Sequence, residues 1–121
     1  MATIATKMGA DFSGLAAIAA EGGTVGTVAA AGSTAADATV LVADANYVTA
    51  SDGTKGVKLY DTEVGGIIRV YNFVAQILKV YPPTSQQLNN LTATSGSISI
   101  AASKGASFHK LDATNWGVIY A

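Results

Sequence analysis

The amino-acid sequence predicts an all-β fold: a small antiparallel domain of the sandwich, jelly-roll or barrel type, with about eight short strands. Two observations predict it. From Ser33 onward, short apolar runs recur between turn residues, and no helical pattern interrupts them. Before Ser33, the chain is rich in Ala, Gly and Thr, which offer little to a core. We therefore predict an N-terminal arm at residues 1–32 and a β-domain at residues 33–121.

The arm carries four large apolar side chains, which are Ile4, Met8, Phe12 and Leu15. Their spacing places them on one helical face, but Gly9 and Gly14 weaken any long helix. We predict an extended arm with at most a short helical piece. A segment that cannot form its own core stays mobile or docks on another surface. We expect these four side chains to contact a partner; the alternative is that the arm packs on its own body or on a neighbouring copy.

Eight apolar runs predict the strands of the β-domain. In chain order they read ATVLVA, NYVTA, GVKLY, GIIRVYN, QILKVYP, SISIA, ASFHKL and WGVIY. Asp52-Gly53 and Lys104-Gly105 are typical of turns, and Gly65-Gly66 precedes a strand. The short spacing between runs is what a sandwich or small barrel requires.

The two central runs predict a hairpin with one apolar face. Alternation places four aliphatic side chains toward the core, namely Ile68, Val70, Leu78 and Val80. The opposite faces carry Arg69, Tyr71, Lys79 and Tyr81. A face that mixes cations with tyrosines suits either solvent or a polar interface.

The second central run ends at Pro82 and Pro83, which lack the N–H that strand pairing needs. The residue before a proline is restricted to extended geometry, so Tyr81 is held at the strand end. A loop then follows, which Leu88 and Leu91 are expected to fasten to the body. The corner is interpreted as a strand terminator, with a ligand-binding corner as the alternative.

The composition favours self-association. Half of the residues are hydrophobic, but only 7% are aromatic, and small side chains supply much of the apolar total. A domain with few large side chains is marginally stable alone, and subunit contacts add buried area. We predict a homo-oligomer, in which the sole tryptophan, Trp116, is a core or interface anchor rather than a sugar-stacking platform.

No group of residues predicts catalysis, a cofactor or a metal site. Ser107 and His109 lie two apart on one predicted strand, so their side chains run parallel and converge poorly with Asp112 for a triad. Asp61 and Glu63 fall in a predicted turn, where charged residues are common. The chain has no cysteine and one histidine, which serves transition metals poorly. We predict that the protein is not an enzyme.

Charge and hydropathy argue against nucleic acid and membrane partners. The net charge is −1, and the six cations of residues 55–121 are scattered rather than gathered in a stripe. The longest uncharged run, Val80 to Ser103, is rich in Pro, Ser, Thr, Asn and Gln, so it is too polar to cross a bilayer. We expect a soluble protein.

Residues 32–121 carry a series of motifs in a fixed order. These are the entry AAGSTAADATVLVADANYVT, then GVKLYDTEVGGIIRVYN, LKVYPPTSQQLNNL, AASKGASF and the terminal DATNWGVIYA. Together they resemble a family of small tailed-bacteriophage virion proteins of the head decoration, or cement, type. One departure is the predicted hairpin turn YNFVAQIL, which lacks a glycine after the asparagine.

The resemblance implies a structural protein that binds the outer surface of the phage head and stabilises the shell. It implies a homotrimer that contacts the major capsid protein and is made in the host cytoplasm. Under this interpretation the four apolar arm residues contact the capsid, while Tyr71, Tyr81 and Trp116 are interface or core anchors. The alternative is a tail, fibre or collar component, or a glycan-binding module.

Overall fold

The computed structural model describes residues 24–120, which form ten short strands and no helix. The strands are β1 (Val25–Ala29), β2 (Thr39–Val40), β3 (Ala45–Ala50), β4 (Gly56–Lys58), β5 (Ile67–Asn72), β6 (Leu78–Tyr81), β7 (Gln87–Leu88), β8 (Ile98–Ile100), β9 (Gly105–Lys110) and β10 (Asn115–Tyr120). The all-β prediction is confirmed for this part of the chain.

The strands form two sheets. The six-stranded sheet has the order β1-β3-β5-β9-β10-β7, and the four-stranded sheet has the order β2-β4-β6-β8. From β1 to β6 the chain alternates between the sheets, so successive strands of one sheet run in the same direction. Antiparallel pairing joins β5 to β9, β9 to β10, and β6 to β8. Both sheets are therefore mixed, which corrects the expectation of a wholly antiparallel domain.

The predicted central hairpin does not exist, because β5 and β6 lie in different sheets. Asn72 fastens the crossing between them. This side chain is buried, and its Nδ2 donates to the carbonyl oxygens of Gln76 at 2.6 Å and Ile100 at 3.2 Å. Its Oδ1 accepts from the backbone N–H of Val74 at 3.0 Å. A crossing held this way needs no hairpin turn, which accounts for the absence of the expected glycine.

The core lies between the two sheets. Its fully buried members include the four aliphatic side chains that alternation assigned to it, Ile68, Val70, Leu78 and Val80. Phe108 on β9 and Trp116 on β10 are its largest side chains. Because strand side chains alternate between faces, Arg69 and Tyr71 point away from this core on one sheet, and Lys79 and Tyr81 do so on the other.

The β-domain begins earlier than the sequence predicted. β1 lies inside the predicted arm, yet its residues pair with β3 from Val25↔Ala45 to Ala29↔Ala50. β7 was also not predicted; it is only two residues long and buries Leu88, whereas Leu91 is exposed. Leu88 thus fastens the loop after the prolines, and Leu91 does not.

Candidate functional site

The structure places the three predicted anchor residues in three different surroundings. Trp116 is buried in the core between the sheets. Tyr81 points outward from the four-stranded sheet but is only 5% exposed, and Tyr71 points outward from the six-stranded sheet and is 42% exposed. The predicted arm contacts, Ile4, Met8, Phe12 and Leu15, lie outside the described residues.

Trp116 belongs to a polar network that runs from the core to the exposed carboxylate of Asp61. Its Nε1 donates to Gln86 Oε1 at 2.7 Å, and Gln86 Nε2 donates to Asp61 Oδ1 at 2.9 Å. The buried Lys110 Nζ donates to the same carboxylate oxygen at 2.6 Å and to the Thr62 carbonyl at 2.8 Å. The hydrogen bond from Lys110, and then the one from Gln86, hold the pKa of Asp61 below its ordinary value. The network satisfies a buried cation and a buried indole N–H, so its role is structural.

Tyr81 fills the corner that the two prolines create. Its ring packs with Ala35 and Ala38, and its hydroxyl donates to the Ser33 carbonyl at 3.0 Å. Beneath the ring lies Gly56, where a Cβ would come within 2.7 Å of the ring. Segment 33–38 therefore covers this part of the four-stranded sheet, and the chain itself occupies the corner.

The outer face of the six-stranded sheet is the main uncovered surface among residues 24–120. We define this outer face as the outward side chains of β1, β3, β5, β9 and β10. The strand register aligns them in rows: Thr27, Tyr47, Tyr71 and Gly105 in one, and Val25, Ala45, Arg69, Ser107 and Ile119 in the next. Val25, Tyr71 and Ile119 are exposed, although all three are large and apolar or aromatic.

Aromatic rings extend the outer face at the end of β5. The rings of Tyr47 and Phe73 lie 5.7 Å apart between centroids at an interplanar angle of 42°, and Phe73 is exposed. A groove of about 140 Å³ adjoins Tyr71. It is lined by Tyr71, Gly105, Ala106, Ser107, Ile119 and Tyr120. Small-molecule sites usually enclose about 300–1,000 Å³, so this face suits a broad, flat partner better than a small ligand.

His109 also lies on the outer face, between Ile67 of β5 and Gly117 of β10. Its Nε2 is buried and has no hydrogen-bond partner within the described structure. Asp112 does not serve it as a triad acid, because Oδ1 of Asp112 accepts from the backbone N–H groups of Thr114 at 2.9 Å and Asn115 at 2.8 Å. These turn contacts lower the pKa of Asp112, led by the Thr114 N–H.

The described residues supply little for other kinds of site. Over residues 24–120, no three His, Asp or Glu side chains are grouped closely enough to hold a metal ion. The same stretch has no helix with the length and apolar character that would let it cross a membrane. Comparisons with family models, with curated proteins and with solved structures found no match.

Sequence reasoning placed two residues of the outer face, Arg69 and Tyr71, away from the core and missed most of the others. Tyr47 and Thr49 alternate with the buried Asn46 and Val48. This pattern could have placed Tyr47 and Thr49 on the outer face if the pairing of β3 with β5 had been known. Phe73 gave no such signal, because it lies just beyond β5, where the chain crosses to the other sheet. Gln86 bonds Trp116, and Lys110 bonds Asp61. Each pair is far apart in sequence, so the sequence did not predict either contact.

Proposed function

We propose that this protein is a structural component of a tailed-bacteriophage particle that decorates the outer surface of the head. It binds the major capsid protein, stabilises the shell and acts as a homotrimer. The observation that carries the proposal is the outer face of the six-stranded sheet, which presents Tyr71, Phe73 and Ile119 to solvent. Contiguous exposed apolar surface on a small domain is typical of protein–protein contacts.

Three further observations support a binding role. The polar groups of the network around Trp116 are engaged with one another. The motifs of residues 32–121 resemble head decoration proteins, and the chain is poor in large side chains, which favours assembly.

The arm supplies the contact with the capsid in this proposal, and the outer face serves contacts between copies. Ile4, Met8, Phe12 and Leu15 each contribute roughly 1.5–3 kcal/mol when fully buried, before the cost of ordering the segment. Several copies of the arm on one oligomer would add avidity to that affinity.

The test is binding to capsids that lack the protein. Purified full-length chain is mixed with such capsids, which are then sedimented and imaged by electron microscopy. The proposal expects hundreds of copies on the head surface and a shell that withstands heat or low salt better than the bare shell. Density confined to the tail, in tens of copies or fewer, would instead establish the alternative of a tail, fibre or collar component.

A shortened chain tests the arm separately. Removal of residues 1–22 leaves all ten strands intact, so the variant is expected to fold and self-associate but to bind capsids much more weakly. If the shortened chain decorates capsids as well as the full chain does, the arm is not the anchor.

A glycan-binding module is the second candidate, and the exposed Tyr71 beside the Tyr47–Phe73 pair favours it. Against it, the buried Trp116 cannot stack on a sugar from outside the fold. A panel of immobilised glycans decides the matter. Saturable binding that Tyr71→Ala abolishes would favour this function over the capsid surface.

A further inference from the structure

Three loops at one end of the strands form a surface that we call the acidic end. They are residues 41–44 before β3, residues 59–66 before β5 and residues 111–114 after β9. The Tyr60 hydroxyl donates to Asp44 Oδ1 at 2.5 Å and joins the first two loops. Gly65 N donates to the carbonyl of Lys110, the residue before the third loop, at 2.8 Å. The three loops therefore lie side by side.

The acidic end combines negative charge with exposed aliphatic tips. Its carboxylates are Asp44, Asp61, Glu63 and Asp112. Of the two lysines that flank its loops, Lys110 is buried and paired with Asp61, and Lys58 donates from Nζ to Thr84 Oγ1 at 2.8 Å. Val42 is 88% exposed, and Val64 and Leu111 are exposed as well. A surface of this kind fits a partner that offers apolar area and a positive charge.

The outer face of the six-stranded sheet is complementary to it. Arg69 is the charged side chain in the outward positions of its strands, and it stands in one row with Val25 and Ile119. Neither of the two salt bridges found among residues 24–120 involves Arg69. If two copies met face to face about a two-fold axis, the interface would hold two Arg69 side chains and no outer-face carboxylate to pair with them.

The size of the outer face sets how much of it a partner must cover. Five strands about 4.8 Å apart and about 20 Å long span roughly 500 Å² as a flat surface. A standard interface buries about 800 Å² on each partner. The flat face alone falls short of that area, so a stable contact must cover nearly all of it together with the side chains and loops at its rim.

From this complementarity we propose that the protein self-associates end to face. The acidic end of one copy docks on the outer face of the six-stranded sheet of the next copy, with Glu63 near the neighbour's Arg69 and Val64 and Leu111 against its Tyr71 and Ile119. The inference rests on the self-association in the proposed function and names the surfaces that carry it.

An end-to-face contact joins two unlike surfaces of the same chain. The face of a sheet is perpendicular to its strands and the loops lie at their ends, so the two surfaces are about 90° apart. Repeated unlike contacts form a ring when the rotation between copies closes, and an open filament when it does not. The homotrimer of the proposed function is the closed case, and native mass spectrometry distinguishes it from a filament.

Charge reversal on each surface tests the inference in the full-length chain. Arg69→Glu changes the outer face, and Glu63→Lys changes the acidic end; light scattering and native mass spectrometry give the oligomeric state. Each single variant is expected to raise the dissociation constant at least about tenfold. The double variant Arg69→Glu/Glu63→Lys is expected to assemble again, because each of its end-to-face contacts pairs the two reversed charges.

Controls separate this result from misfolding and from other interfaces. Lys79→Glu makes the same kind of charge change on the outer side of the four-stranded sheet and is expected to leave assembly unchanged. Val64→Ser on the acidic end and Ile119→Ser on the outer face change no charge. Each variant alone is expected to weaken assembly while its far-ultraviolet circular dichroism stays that of the wild type.

Several outcomes would overturn the inference. These are a wild-type chain that is monomeric at micromolar concentration, an assembly that Glu63→Lys does not affect, or a double charge variant that fails to assemble. Capsid binding is scored separately. A chain that assembles end to face but does not bind capsids refutes the proposed function alone, whereas a capsid-binding oligomer that neither charge variant weakens refutes the inference alone.

Discussion

The outer faces of the two sheets each carry a tyrosine on a central strand, yet the two tyrosines have opposite environments. Tyr81 on the four-stranded sheet is covered by segment 33–38 and donates to the Ser33 carbonyl. Tyr71 on the six-stranded sheet lies beside an open groove and is 42% exposed. Strand alternation is the same for both, so the difference comes from the segments packed above the sheets.

A segment of small residues from the same chain covers the outer side of the four-stranded sheet at Tyr81. Segment 33–38 approaches the four-stranded sheet closely because Ala35 and Ala38 are small, and Tyr81 fills the space between them and Gly56. Over the outer face of the six-stranded sheet, the described residues provide no equivalent segment. The covered tyrosine therefore stabilises the monomer, and the uncovered one is available to a partner.

The largest expected loss of stability comes from removing Trp116, the largest fully buried side chain. Trp116→Ala is expected to lower the free energy of unfolding by about 3–5 kcal/mol, because it empties the centre of the core. Trp116→Phe keeps most of the packing but leaves Gln86 Oε1 without its donor, so a smaller loss of about 1–3 kcal/mol is expected. Urea denaturation measures both. A loss under about 1 kcal/mol for the alanine variant would contradict the core assignment.

The next effect tests the comparison itself. Tyr81→Ala is expected to cost about 3 kcal/mol, since it removes a covered ring, whereas Tyr71→Ala is expected to cost less than about 1 kcal/mol. Tyr81→Phe isolates the hydroxyl bond to Ser33 and is expected to cost about 1 kcal/mol. The loss from Tyr71→Ala is expected in self-association, measured by light scattering. Equal losses of stability at the two positions would show that the faces do not differ as described.

The sequence predicted the strands and their faces better than it predicted the partners of the strands. The alternation that buries Ile68 and Val70 is local, so it could be recognised without a structure. The parallel pairing of β1, β3 and β5 is not local, because each return passes through the other sheet. β1 was missed because VGTVA lies in an Ala- and Gly-rich stretch and is recognisable as a strand only beside β3.

The candidate site was predictable only in part, for the same reason. Alternation indicated that Tyr71 and Tyr81 point away from the core, and it gave both the same interpretation. Whether a segment covers an outward side chain depends on contacts between residues that are far apart in sequence, such as Tyr81 and Ser33. No property of the two tyrosines themselves distinguishes them.

Two glycines offer a smaller and more closely matched test. An added Cβ would lie 2.7 Å from the Tyr81 ring at Gly56 and 2.6 Å from the Tyr71 ring at Gly105. The Tyr81 ring is confined by its cover, and the Lys79 carbonyl lies 2.9 Å from the same Cβ, so Gly56→Ala is expected to cost about 1–3 kcal/mol. The Tyr71 ring is free to swing into solvent, so Gly105→Ala is expected to cost less than about 1 kcal/mol.

A double-mutant cycle identifies the source of the glycine effect. When Tyr81→Ala is already present, Gly56→Ala is expected to cost much less than it does alone, because the confined ring is gone. An unchanged cost would assign the strain to the Lys79 carbonyl instead. Equal costs for the two glycine variants in the wild-type background would remove the distinction between a confined and a free tyrosine.

The smallest expected effect concerns charge on the two sides of the six-stranded sheet. Lys110 points to the inner side and is paired within the chain, at 2.6 Å from Asp61, whereas Arg69 points to the outer side. The pKa of Asp61 is lowered in the folded state, first by the hydrogen bond from Lys110. A lowered folded pKa contributes stability above the unfolded value, which is about 3.9 for Asp, and that contribution is lost as the pH falls through the folded value.

Wild-type protein is therefore expected to lose part of its stability below about pH 4. Asp61→Asn is expected to be less stable than wild type at pH 7, with a difference that shrinks as the pH approaches 2. Lys110→Met keeps the buried stem of the lysine but removes the charge, so it should abolish the part of the pH dependence that Asp61 supplies.

Arg69→Met is the matched control on the outer face, and its unfolding should follow pH as the wild type does. Thermal unfolding from pH 2 to pH 7 measures all four proteins. If Arg69→Met changed the loss of stability at low pH as much as Lys110→Met does, Arg69 would also stabilise the fold. It would then not be a cation that only a partner can pair with.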